Sequence, residues 1–470
     1  MEKYFHLSEN GTTVRTEILA GLTTFLTMSY IIFVQPAALS GSMFGFQTGM
    51  DFGALTTATC LSSALACLVM GFVARYPIAL APGMGENFFF VFSVMPAAAA
   101  AGFANSWQVA LGVVFVSGVL FFVIYLLGIR EHIFNSISPS MKNAIAAGIG
   151  IFIAFIGLQN AGLIIKSSSS GVVLNAHFAS PDLIIFFFGL FLSAILFARR
   201  VRGAILWGIA GAAVLAIVLK LALPLLPAAI SGSKLVTESM LMTRFSLAHG
   251  IISAPPSLAP TFLKMDLVHA LSIAMWPFII VFLFMDVFDT IGTLVGVGEQ
   301  AGFIKDNKLP RVRQAMLADQ TGTVIGSLLG TSTVTSYIES SAGVEAGGRT
   351  GLTSISVAFF FLLALFFSPL VAMIGSYGVI TAPALVMVGA MMMRNAAKIE
   401  WSEYSESIPA FLVLVGIPFS YSIGDGLALG FISYSVVNLL SGKAKRVSGL
   451  MYVLSAVLLL YFFLLRSQLG

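Results

Sequence analysis

Charge is what this 470-residue sequence has least of: Asp, Glu, Lys and Arg make up 9% of it, against roughly 25% in soluble globular domains. That deficit excludes a soluble enzyme, including one tethered to a bilayer by a lipid anchor. With 58% hydrophobic residues and a mean hydropathy of +0.99, it implies an integral membrane protein. Cysteine is almost missing, with two in the chain. Cys60 and Cys67 sit about 10 Å apart along one apolar helix, too far to bond to each other, which excludes a disulfide framework. Histidine is also scarce, at five; His249 and His269 read as lacking a ligand set, so no metal is expected. The first sixteen residues lack the apolar core and cleavage site of a secretory signal, and the first span itself is expected to target the chain.

What is abundant is apolar segments. Stretches long enough to span run over about 17–40, 54–74, 108–128, 141–165, 183–197 and 203–221, with a shorter one at 85–100. Prolines 224, 227, 255, 256 and 260 then break the pattern, and a second set covers 270–294, 315–329, a short polar piece near Ile338, 352–374, 379–393, 408–421 and 427–440. Fourteen spans at about 20 residues each use about 280 residues and leave short loops, a transporter or channel layout. Seven segments on each side of the break predict two repeats, and an odd number per repeat inverts the second relative to the first. The fold class expected is an all-α polytopic membrane protein of about 14 segments, with short strands and half-helices at segments 3 and 10. The expected divisions are 1–223 (first repeat), 224–268 (connecting loop), 269–446 (second repeat) and 447–470. The last apolar stretch, Leu450 to Leu465, reads as a fifteenth span, an edge helix or a surface helix.

The net charge of +4 reports topology and implies no nucleic-acid partner. Of 24 Lys and Arg residues, a cytoplasmic N-terminus puts only Lys166, Lys220, Lys234, Arg244 and Lys264 outside. Arg466 stays unassigned and the other 18 fall inside, Arg75, Arg130, Arg199, Arg200, Arg202, Lys305 and Lys308 among them. This is the bias of a plasma-membrane protein with its N-terminus in the cytoplasm, and the lean loops suggest a bacterial one.

Three places carry chemistry. In the eighth span Asp286 and Asp289 stand three residues apart, hence on one helix face, where each buried charge costs about 2.5–3.5 kcal/mol on insertion scales. A helix-end pair at the water interface is the alternative, but Asp286 follows fifteen mostly apolar residues. In the tenth segment, Thr331, Thr333 and Thr335 alternate as in an extended strand. Ser336 and Glu339 have capping-box spacing, so a half-helix is expected to start at mid-membrane. Glu339 could merely cap it, or cap in one state and hold a ligand in another. In the third segment Pro82, Gly83 and Gly85 break the helix, Asn87 offers an amide, and Phe88 offers a backbone N–H or a stacking ring. Matching breaks in two halves point to a transporter's binding site. Carboxylates, an amide and phenyl groups suit a small, flat ligand with several N–H donors, such as a purine base.

At these residues the sequence resembles the AzgA-like purine permeases of the nucleobase:cation symporter-2 family, over essentially the whole chain. The resemblance rests on Ala81-Pro-Gly-Met-Gly-x-Asn87, on Phe288-Asp-Thr-Ile-Gly-Thr-Leu294, and on Tyr337-Ile-Glu-Ser-Ser-Ala-Gly343 running through Ala346-Gly-Gly-Arg-Thr-Gly351. It implies a core domain of segments 1–4 and 8–11 moving against a gate domain of segments 5–7 and 12–14, and a homodimer through the gate. It also implies substrate contact by Asp286, Glu339, Asn87, Phe88 and Ile338, the last two through backbone groups, and coupling to protons through Asp289 with Asp286 and Glu339. The proton is then the coupling ion and no cofactor is needed. The Asn87 motif is closer to the hypoxanthine and guanine group than to the adenine group. Glu86 departs from the family pattern, where a leucine is expected; facing the site, it would add a third carboxylate.

The expected function is proton-coupled purine import (hypoxanthine or guanine, then adenine) by alternating access. An anion carrier on the same repeat plan is one rival, although it would favour a basic or neutral site. An intramembrane aspartyl hydrolase is another, but such enzymes bring two acids from separate helices. A passive channel, the third, would not accumulate substrate uphill.

Overall fold

The computed structural model describes residues 2–126, 137–167, 171–303 and 309–464. Arg130, Lys305, Lys308, Leu465 and Arg466 lie outside the described residues. Because lipid offers no hydrogen bonds, spanning backbone must satisfy itself, and apolar helices dominate. The first half holds α1 (Val14–Met28) and α2 (Ile31–Leu39) as one bent span, then α3 (Phe52–Val69) and β1 (Leu80–Pro82) leading into α4 (Met84–Ala100). It continues with α5 (Ser106–Leu126), α6 (Pro139–Asn160), a hairpin of β2 (Ile164–Ser167) and β3 (Gly171–Leu174), α7 (Pro181–Ala198) and α8 (Ala204–Ala222). The second half holds α9 (Trp276–Gln300), α10 (Val312–Leu329) and β4 (Val334–Ser336) leading into α11 (Ser340–Glu345). After these come α12 (Gly351–Ala364) with α13 (Ser368–Gly375), α14 (Ala382–Met392), α15 (Tyr404–Ser420), α16 (Ile423–Leu440) and α17 (Gly449–Leu464). Among the described residues nine helices are long and apolar enough to cross a membrane, and shorter apolar ones accompany them. With α17 set aside, seven segments fall on each side of the 224–268 connection, and the third of each seven is a strand followed by a helix that starts anew. This is the inverted-repeat plan expected.

Helix starts follow local chemistry. Asp51, Ser138, Ser180 and Ser422 each turn a side-chain oxygen to a backbone N–H of the first turn, a cap worth about 1 kcal/mol. Pro139 and Pro181 follow two of them in the first turn, where a missing N–H costs nothing. Glu17 does the same over a longer range: fully buried, it accepts from the Arg349 N–H (2.9 Å), the Thr353 N–H (3.1 Å) and the Thr353 hydroxyl (2.6 Å), seating α12 on α1.

Two bundles result. In one, α12 packs on α1 and α3, α10 on α3 and α5, and α9 on α5; in the other, α6 packs on α14 and α15, α7 on α8 and α14, and α15 on α16. Close helix approach needs small residues: a β-carbon at Gly150 on α6 would lie 2.9 Å from the Gly389 carbonyl of α14. The connection after α8 straps one end of both bundles. Asp182 accepts from the Met240 and Leu241 N–H groups (2.9 Å each) and from the Tyr377 hydroxyl. Thr57 donates to the Pro256 carbonyl (2.8 Å) and the Leu263 N–H to the Leu328 carbonyl (2.8 Å). The leftover stretch is an edge helix, α17, fixed to α16 by a Ser435–Ser455 hydroxyl pair at 2.7 Å.

Candidate functional site

The two breaks meet. β1 and β4 pair antiparallel, Leu80 opposite Ser336 and Pro82 opposite Val334, which lets non-helical backbone survive at depth. The Gly83 N–H donates to the Thr333 carbonyl (3.0 Å), the Tyr337 N–H to the Ala79 carbonyl (2.9 Å) and the Tyr337 hydroxyl to the Pro82 carbonyl (2.5 Å). One correction concerns the capping box. Ser336 closes a strand and its hydroxyl donates to Asp319 (2.9 Å), so it caps no helix; α11 starts at Ser340 with Glu339 in the capping position and no side-chain cap bond.

On the packed side of the strand pair lies a sealed polar frame. Asn87 is fully buried; its amide donates to Gln35 and accepts from the Ser332 hydroxyl. Gln35 in turn donates to the Thr331 hydroxyl (2.7 Å). Asp319 accepts from Thr290 (2.7 Å) and Ser336, and Gln320 donates to Asp286 (2.8 Å). The other Asp286 oxygen is buried without a hydrogen-bond partner among the described residues, an arrangement that asks for a proton or a ligand.

The opposite side is open. Asp289 and Gly292 are exposed, Ile338 is 44% exposed, and Glu339 is half-buried. The Tyr30 hydroxyl donates to the Glu339 carboxylate (2.8 Å) and so aims it. Asp286 and Asp289, which the spacing put on one face, diverge: the first turns to Gln320 and the second to the cleft. Glu86 is buried and folds back over Gly83, beside Thr335. The Phe88 ring is fully buried, stacked with Phe92 and edge-on to Phe152. α4 starts at Met84 and the Asn87 N–H already bonds the Gly83 carbonyl, so the N–H groups left without an intrahelical acceptor at this helix start are those of Met84, Gly85 and Glu86, the last lying beside its own carboxylate. Ile338 adjoins the capping position of α11, with its side chain 3.3 Å from where a β-carbon at Gly296 would stand.

Sequence reasoning missed Tyr30, Gln35, Asp319 and Gln320. The adjacent acid and amide at 319 and 320, inside the ninth apolar stretch, were a usable signal by the same cost argument that singled out Asp286. Tyr30 and Gln35 gave none, because a tyrosine and an amide are unremarkable in a first span until their partners are known. His269 bonds Asp266 at 2.6 Å, a carboxylate three residues away that the sequence reading passed over.

A chain with inverted repeats, paired helix breaks and acids at mid-membrane belongs to the class of multi-pass membrane carriers. A family model described as the permease family matches residues 15–426, and the chain belongs to that family, the nucleobase:cation symporters-2, whose members are transporters and not enzymes. It is 47% identical to a putative permease of Methanocaldococcus jannaschii, over 98% of both chains. It is 44% identical to the guanine/hypoxanthine permease PbuG of Bacillus subtilis, over 99% of this chain and 100% of that one. Identity to the adenine permease AdeP of Escherichia coli is 37%, over 98% of this chain and 95% of that one. Among solved structures, the transmembrane domain of the cyanobacterial bicarbonate transporter BicA superposes with a TM-score of 0.59 at 13% identity, covering 88% of this chain and 97% of that one. SLC26A9 gives 0.61 at 13% identity, covering 94% and 68%. These two likenesses concern the fold alone. Transport across a membrane is the activity that family membership gives the chain.

Proposed function

We propose that the protein imports guanine or hypoxanthine, and adenine less well, together with a proton across the plasma membrane of a prokaryote. The observation that carries this reading is the open face of the strand pair, where Glu339 and Asp289 meet one cleft with Asp286 behind them. Carboxylates accept from ring N–H and exocyclic amino groups, and the exposed Gly292 lets a flat ring approach the α9 backbone. The guanine/hypoxanthine permease PbuG is more similar to this chain than the adenine permease AdeP, at 44% against 37% identity, which favours the oxopurines, while a second guanine/hypoxanthine permease, GhxP, stands at 32%. Asn87, bonded on both amide atoms, contacts the base only if it exchanges Gln35 or Ser332 for it. Asp289, Asp286 and Glu339 share the coupling proton, with Asp319 as a fourth acid bonded to the same frame. Moving one positive charge inward yields about 2.3 kcal/mol per 100 mV, enough for roughly 50-fold accumulation.

With the N-terminus in the cytoplasm, the geometry supports a cleft open to the inside. The outer half is closed where α4 meets the turn before α16: the Ser93 and Ser422 hydroxyls are 3.1 Å apart and Phe92 meets Tyr421 edge-on at 5.1 Å. Toward the inner end of α9, Asp289, Gly292 and Val295 are all exposed. Gly203, in the inner loop between α7 and α8, lies against Leu26, twelve residues into α1, as it would if the bundle of α1 were displaced inward. The bundle of α1–α5 and α9–α13 then serves as the moving core and the other as the gate, paired with a second gate in a homodimer.

Uptake of labelled hypoxanthine, guanine, adenine, xanthine and uracil by cells lacking their own carriers tests the proposal. Saturable, uphill guanine or hypoxanthine uptake that collapses with a protonophore is expected. Uptake that survives the protonophore, or only equilibrates, would remove the symport.

A further inference from the structure

The gate bundle carries a second site, on its lipid-facing side. Two side-chain stripes at helical spacing, Phe188, Leu192 and Leu196 on α7 and Trp207, Val214 and Val218 on α8, face each other across a groove of about 630 Å³. Gly211 forms part of its floor, where a β-carbon would crowd Leu192 and stand 3.3 Å from Phe188. The groove ends at Val201. From there to Phe188 is thirteen residues, about 20 Å of helix, enough to cover one leaflet of a hydrocarbon core about 30 Å thick.

The groove's mouth is strongly basic. Arg199, Arg200 and Arg202 flank Val201 in the tight α7–α8 turn, with Arg200 in the left-handed region at φ 57°, and all three are exposed. The ion pairs found among the described residues join other groups, so these guanidinium groups have no acidic partner there. Trp207 is 52% exposed on the groove wall nearest them, as expected of a ring at the level of the headgroups. A long apolar channel with three unpaired guanidinium groups at one end complements an acyl chain that ends in a phosphate, and arginine's fork matches phosphate oxygens. We propose that this groove is a specific site for an anionic diacyl phospholipid of the arginine-side leaflet, with one chain lying between α7 and α8 and the headgroup held by Arg199, Arg200 and Arg202. It stands independently of which base is carried.

Bromine-labelled lipids test it through Trp207. The full-length protein is reconstituted in vesicles containing dibrominated phosphatidylglycerol or dibrominated phosphatidylcholine, and the emission lost between wild type and Trp207→Phe isolates the groove. Quenching of that component at an at least five-fold lower mole fraction of phosphatidylglycerol is expected. The preference should fall below two-fold in the combined Arg199→Gln, Arg200→Gln, Arg202→Gln variant, and Ala210→Phe, which fills the groove, should weaken quenching by both lipids. If the triple variant fails to insert, raising salt on the wild type replaces it, because screening should shrink the preference. Equal quenching by the two lipids in wild type, or a preference indifferent to both the arginines and salt, would overturn the proposal. So would protection of Trp207 from both lipids with crosslinking to a second copy, which would make the groove an interface between copies.

Discussion

The two helix breaks are built alike and used differently. Both supply a three-residue strand and a helix that starts anew after it, and their strands pair in register. Around the first, Asn87 and Phe88 are sealed, the one by Gln35 and Ser332 and the other by a phenyl cluster. Around the second, Ile338 and Glu339 reach an open cleft shared with Asp289. An inverted repeat thus gives two equivalent backbones, while side chains seal one into a frame and leave the other accessible.

The sharpest way to break this contrast is to freeze the first break's helix against the gate. Oxidised crosslinking of a Ser93→Cys, Ser422→Cys pair should abolish uptake, and reductant should restore it, since the hydroxyls touch in the present state; undiminished uptake by the crosslinked protein would end the moving-core account. Next, Glu339→Gln should lower purine kcat/KM by roughly 10- to 100-fold, as expected for losing a charge-assisted hydrogen bond of about 1.5–3 kcal/mol, with the protein still at the membrane in normal amount. Asn87→Ala should do the reverse. It strands buried groups on Gln35 and Ser332 at about 1–3 kcal/mol each, so melting temperature and membrane abundance should fall before KM changes; a KM effect in a normally stable protein would make Asn87 a direct contact. Tyr30→Phe removes the donor that aims Glu339, and a rise in KM of about three- to ten-fold is expected from a bond worth about 0.5–1.5 kcal/mol.

The smallest effect lies outside both breaks. In the loop before α15 the Lys443 ammonium (2.6 Å) and then the Ser405 hydroxyl hold the Glu403 carboxyl down at about 2. A lowered carboxyl adds stability above its ordinary range and loses it as pH falls through about 2. Between about pH 4.5 and 2 the melting temperature of Glu403→Gln should therefore decline less than that of wild type, by a small margin because the group is only half-buried and solvent screens it.

Much of this was legible beforehand because the bilayer is an unforgiving solvent. Span boundaries agreed closely, α7 at Pro181–Ala198 against an expected 183–197, since apolar length is itself the signal. The convergence of segments 3 and 10 was readable from proline, glycine and hydroxyl residues where leucines belong. The β2–β3 hairpin was not, because a short exposed strand pair in a loop carries no burial pattern. Ser336 misled because its spacing to Glu339 fits a capping box equally well when the serine ends a strand.

Composition and order alone determined that the chain lies in a membrane, divides into two inverted halves and holds acids at depth, because burying charge or unpaired backbone in lipid is costly wherever the chain goes afterwards. Only the tertiary structure decided which acid is accessible, that Asn87 is bonded into a frame, that Tyr30 aims Glu339, and that Glu86 folds back over Gly83 beside Thr335. Those outcomes depend on partners hundreds of residues away, and no local pattern encodes the distance between them.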